Sequence, residues 1–141
     1  MSFQHIGDTY LLTGDGETGT ISGGGGRLAF IHGSHDTLGM AMGGVPTVVI
    51  QGHFDSIVTY PNHPTTIIGF DGTDSLSIFG LWLGTDGKPL AKGADASHAM
   101  ITSDHHGGCT LSLAFGYGSI HFAGTDASVI RGDHAIIAST R

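Results

Sequence analysis

Four acidic residues, each followed by Thr or Ser, recur at a constant 19-residue step: Glu17-Thr18, Asp36-Thr37, Asp55-Ser56 and Asp74-Ser75. Stacked at the strand spacing of about 4.8 Å, they form a column of carboxylates. At an effective dielectric near 20, each adjacent pair would repel by on the order of 3 kcal/mol if dry. Three arrangements relieve such a column. A cation can bind between the turns, backbone N–H groups can donate to the carboxylates as in Asx-type turns, or water can reach them.

Ten histidines are the second feature, at 5, 32, 35, 53, 63, 98, 105, 106, 121 and 134. His35 and His53 flank the acidic column, and Asp104-His105-His106 forms a local cluster. A zinc or copper site needs three or four converging ligands. No His-x-x-x-His or His-Glu-x-x-His spacing occurs, so these read as turn and surface residues, with a pH-sensitive surface below about pH 6.5 if several stack. Gly23 to Gly26 lacks the Lys-Ser/Thr and the helix of a phosphate loop. No Gly-x-Ser-x-Gly elbow is present. Cys109 reads as strand packing, and Trp82 with the apolar run 78–83 as a seal. Nothing here spells an enzyme.

The elements that must position the column follow from the same period. Before each acidic residue lies a turn-like segment: Gly14-Asp15-Gly16, Gly33-Ser34-His35, Gly52-His53-Phe54 and Gly72-Thr73. Half a repeat later come Gly23 to Gly26, Gly43-Gly44-Val45-Pro46 and Pro61-Asn62-His63-Pro64. Between these breakers run short β-branched and apolar stretches at 27–31, 47–50, 56–60, 65–68 and 75–79. Two strands and two turns in each period predict an all-β chain, a β-roll-like β-solenoid over residues 1–80. Leu28, Thr47, Thr66 and Phe30, Val49, Ile68 serve as trial inward columns, although the continuous apolar runs leave the choice of face open.

After Gly80 the register fails. Residues 81–99 read as a loop or short helix, followed by strands near 100–102, 110–115 and 119–122. One helical turn opened by Asp126 and a last strand at 134–138 complete an irregular β-rich cap, residues 81–141, packed as the same domain.

Composition agrees with this reading. Of 141 residues 25 are Gly, 12% are charged, and the acidic residues are eleven Asp and one Glu, a turn-forming rather than helix-forming set. The net charge of −7 argues against nucleic acid. One cysteine excludes an internal disulfide. No apolar run is long enough for a transmembrane helix, and the N-terminus lacks the pattern of a secretory signal.

The turns 33–37, 52–56 and 72–75 resemble degenerate hemolysin-type calcium-binding repeats, the repeats-in-toxin β-roll of bacterial secreted proteins. Ser103-Asp104-His105-His106-Gly107-Gly108-Cys109-Thr110 and Gly118-Ser119-Ile120-His121-Phe122-Ala123-Gly124 resemble the hairpin and strand that end such proteins. The resemblance implies an extracellular or cell-surface protein, exported by a type I-like route without a cleaved signal. It also implies Ca2+ at the turns, with Glu17, Asp36, Asp55 and Asp74 as the ligands. This sequence departs from the family in keeping acidic residues in only one turn column, and the full nonapeptide occurs nowhere.

The leading functional expectation is a structural protein whose partners are copies of itself, assembled into a filament, surface layer or matrix. The first coil, beginning at Asp8 to Leu12 without an obvious cap, would offer an open strand edge. The alternatives are a calcium-responsive β-roll module and a carbohydrate- or surface-binding module using Tyr60, Trp82 and Tyr117.

Overall fold

A computed structural model describes residues 3–21, 27–40, 47–59, 65–79, 100–112, 119–130 and 136–139. The described residues are all-β apart from one helical turn. In order the elements are β1 (Phe3–Ile6), β2 (Thr9–Thr13), β3 (Thr18–Ile21), β4 (Leu28–His32), β5 (Thr37–Met40), β6 (Thr47–Gln51) and β7 (Ser56–Thr59). There follow β8 (Thr65–Ile68), β9 (Ser75–Phe79), β10 (Ile101–Ser103), β11 (Cys109–Ser112), β12 (Ser119–Ala123), α1 (Ala127–Ile130) and β13 (Ile136–Ser139). The breaker clusters at 23–26, 43–46 and 61–64, and the segment 81–99, lie outside the described residues.

Strands alternate between two sheets. The larger runs β1-β2-β4-β6-β8-β12-β11-β10, and the smaller β13-β9-β7-β5-β3. The repeat sets the register directly: Thr9 pairs with Leu28, Leu28 with Thr47 and Thr47 with Thr66 in parallel, each one period further along the chain. Thr18, Thr37, Ser56 and Ser75 do the same in the smaller sheet. The larger sheet is mixed, because β1 pairs with β2, and β10 and β11 with β11 and β12, in antiparallel fashion. Beyond the repeats, β12 continues the larger sheet in parallel against β8, and β13 continues the smaller against β9.

The core lies between the sheets and corrects the trial columns. Tyr10, Ala29, Val48, Ile67 and Phe122 share one register position, and Ala29, Val48, Ile67 and Phe122 are buried. Leu12, Ile31 and Ile50 form the next inward row. Leu28, Phe30, Thr47, Val49 and Thr66 lie on the other face, half-buried, and Ile68 is 40% exposed. With apolar residues on both faces, alternation alone cannot say which points inward; the turn phase decides it. The smaller sheet contributes Leu38, Ile57 and Leu76 in one row and Ile21, Met40 and Ile78 in the other. Each fully buried Ile or Leu contributes roughly 1.5–3 kcal/mol relative to exposure.

β1 covers the β2 edge of the first repeat and becomes the edge strand itself. β1 folds back along β2, and the Phe3 ring packs against the smaller sheet at Gly19, whose row otherwise holds Leu38, Ile57 and Leu76. Phe3 and His5 both stack on Tyr10, with centroids 5.9 and 4.0 Å away. At the other end Phe122 meets Phe70 edge-on at 5.2 Å, and the Thr125 hydroxyl donates to the Phe70 carbonyl at 2.7 Å.

Candidate functional site

The acidic column sits where the four turns enter the smaller sheet, and a hydrogen-bond ladder holds it. The Glu17 amide donates to Asp36 Oδ1 at 2.8 Å, that of Asp36 to Asp55 Oδ1 at 2.9 Å, and that of Asp55 to Asp74 Oδ1 at 2.9 Å. The carbonyls of the same residues are also used. Thr37 donates to Glu17 O, Ser56 to Asp36 O and Ser75 to Asp55 O, at 2.8, 2.8 and 2.9 Å. The column is thus stitched to its neighbours through side chain and backbone together. Each repeat offers its N–H to the carboxylate of the next, a bond that reaches across one full period rather than closing a local Asx turn.

Glycine makes the stacking close enough. A Cβ on Gly33 would lie 1.9 Å from the Gly14 carbonyl oxygen, and one on Gly52 would lie 1.7 Å from that of Gly33. Both glycines have strongly positive φ, at 132° and 135°. In the fourth turn Asp71 takes the glycine position, and its amide donates to Asp74 Oδ2 at 3.0 Å.

Burial then sets the electrostatics. Asp36, Asp55 and Asp74 are 1%, 1% and 3% exposed. Glu17 is half-buried. Oδ2 of Asp36 and Oδ2 of Asp55 have no hydrogen-bond partner. Loss of water raises all three Asp carboxyls above the ordinary value, against the lowering effect of the amide bonds. Neighbouring carboxylates raise them further, and Asp74 is pushed up to about 6.

A calcium ion needs six to eight oxygen ligands. In this column the three Oδ1 atoms and Asp74 Oδ2 face amide donors, and the two remaining Asp oxygens are sealed from water, which could otherwise complete a coordination shell. The arrangement is a set of acceptors for N–H groups, and its described residues do not fit a calcium cage.

The described histidines disperse, and His63, His98 and His134 lie outside the described residues. His35 and Phe54 stack at 5.2 Å on the outside of the turns, and His53 Nδ1 lies 2.9 Å from Asp71 Oδ2. His105 and His106 do not converge. Their amides bond Ser103 Oγ and Asp104 Oδ1, while Asp104 Oδ2 meets His121 Nε2 at 2.7 Å across the hairpin. That bond, with the His106 and Gly108 amides, holds Asp104 down at about 2. Among the described residues no three His, Cys, Asp or Glu side chains are grouped to hold a metal ion.

Asp71 and the Asp104–His121 pair are the polar contacts that spacing did not reveal. Asp71 stands outside the phase of the acidic column, and the other pair joins positions 104 and 121 across a hairpin. Cys109 is buried in β11. Tyr60, Trp82 and Tyr117 lie outside the described residues. In comparison with known proteins, the chain matches no family model, no curated protein and no solved structure.

Proposed function

We propose that the chain is a secreted bacterial structural protein, a β-solenoid with one period per coil, whose copies join edge to edge into an extracellular filament, surface layer or matrix. The single-period parallel offsets in two facing sheets support the coil. One observation carries the assembly. Among the described residues, the strands that end the two sheets, β1, β10, β3 and β13, contain no Asp, Glu, Lys, Arg or Pro. Edge strands of proteins that stay apart are blunted with charges, prolines or bulges, because their unpaired N–H and C=O groups otherwise recruit another chain. β1 is the clearest case: Gln4, His5 and Ile6 are exposed, Ile6 by 63%. Pairing between the two different ends of successive copies extends into a filament wherever its rotation does not close a ring.

Sedimentation or light scattering of the purified chain, first in EDTA and then with millimolar calcium, tests this. Large particles are expected in both, reduced to monomer by Gln4→Lys with Ile6→Lys on the β1 edge. A compact monomer in both conditions sinks the proposal. Particles only with calcium would replace it with a calcium-responsive module.

A further inference from the structure

We propose that Asp36, Asp55 and Asp74 form a proton-binding site, holding protons in the folded chain in mildly acidic solution, so that acid tightens the fold. Three carboxyls follow one another one repeat apart, each at least nine-tenths buried. Each keeps Oδ1 on the amide of the preceding repeat. In Asp36 and Asp55 the second oxygen is buried with nothing bonded to it, which is where a proton adds without breaking the ladder. A neutral carboxyl loses far less on leaving water than a carboxylate, and it no longer repels its neighbours.

Among the described residues, the groups facing the column do not supply the missing positive charge. From the β2–β3 turn come Asp15 and Glu17, from the β4–β5 turn His35, and from the β8–β9 turn Asp71. His53 is engaged with Asp71. Arg27, the one Lys or Arg among the described residues, lies beside Asp8, 3.7 Å away. Only His35 lowers the Asp36 and Asp55 carboxyls by charge, and it is outweighed by burial.

The test is urea unfolding of the whole chain in EDTA at pH 7.5 and pH 4.5, with proton uptake on refolding measured in unbuffered solution near pH 5. The folding equilibrium constant is expected to rise on acidification. Asp74 accepts amides on both oxygens, yet burial pushes its carboxyl up to about 6, which corresponds to a gain on the order of thirtyfold. Refolding should take up protons. Asp55→Asn and Asp36→Asn, which keep an Oδ1 acceptor but cannot ionise, should each shrink the pH-dependent gain. A midpoint that stays flat or falls between pH 7.5 and 4.5 overturns the proposal. So does refolding without proton uptake, or calcium at pH 7.5 reproducing the whole gain. If the Asn variants do not fold, proton uptake by the unaltered chain still decides.

Discussion

The ring of Phe3 lies over Gly19 so closely that a Cβ at Gly19 would sit 2.6 Å from Phe3 Cδ1. Phe3 belongs to the edge of the larger sheet and Gly19 to the edge of the smaller one, so a single aromatic side chain bridges the two layers at the end of the core. Phe3→Ala removes that bridge and leaves Gly19 facing an empty space. The expected cost is about 2 kcal/mol, less than for a fully buried ring because Phe3 is half-buried. Urea unfolding of the variant checks it.

Neighbouring isoleucines should behave oppositely. Ile67 is 1% exposed in the row that holds Ala29, Val48 and Phe122, whereas Ile68 is on the outer face. Ile67→Ala should cost about 3 kcal/mol and Ile68→Ala under about 1 kcal/mol. Equal losses in paired thermal melts would mean that the faces are assigned wrongly.

Gly52→Ala should be among the most damaging single changes. It places a methyl group 1.7 Å from the Gly33 carbonyl oxygen at φ 135°, for a loss above about 3 kcal/mol. Gly16→Ala is the control. It has positive φ but nothing within 4 Å of its Cβ, and its turn equivalents His35 and Phe54 accept φ of 60° and 59°. That variant should lose only about 1 kcal/mol. Circular dichroism and denaturant midpoints separate the two.

Stability should peak in acid rather than at neutrality. The raised carboxyls of Asp36, Asp55 and Asp74 contribute stability that is fully present below the ordinary Asp value of 3.8 and is lost as pH rises, through about 6 for Asp74. Asp104, held at about 2, works the other way, as do the lowered carboxyls of Asp71 and Asp126. Their contribution is present above 3.8 and is lost as pH falls through their folded values. A maximum near pH 4 to 5 is expected from unfolding curves between pH 2.5 and 7.5. Asp104→Asn should flatten the acid limb alone.

By itself, the sequence determined the constant step of the repeat, the all-β character and most strand positions, because breakers and β-branched runs act locally. β8 and β9 fall where the runs at 65–68 and 75–79 stand, and the turn at Asp104 to Gly108 joins an antiparallel hairpin. The helical turn after Asp126 was legible from its cap, whose carboxylate accepts the Ser128 amide at 2.9 Å. Only the tertiary structure decided which face of each strand is inside, because Phe30 and Ile31, or Ile67 and Ile68, are equally apolar and the turns choose between them. It also decided the role of β1, whose Phe3 meets Gly19 from another sheet. The acidic column shows the same division. Spacing aligned Asp36, Asp55 and Asp74, but their partners are amides one repeat away and their charge depends on lost water, and both exist only once the repeats are stacked.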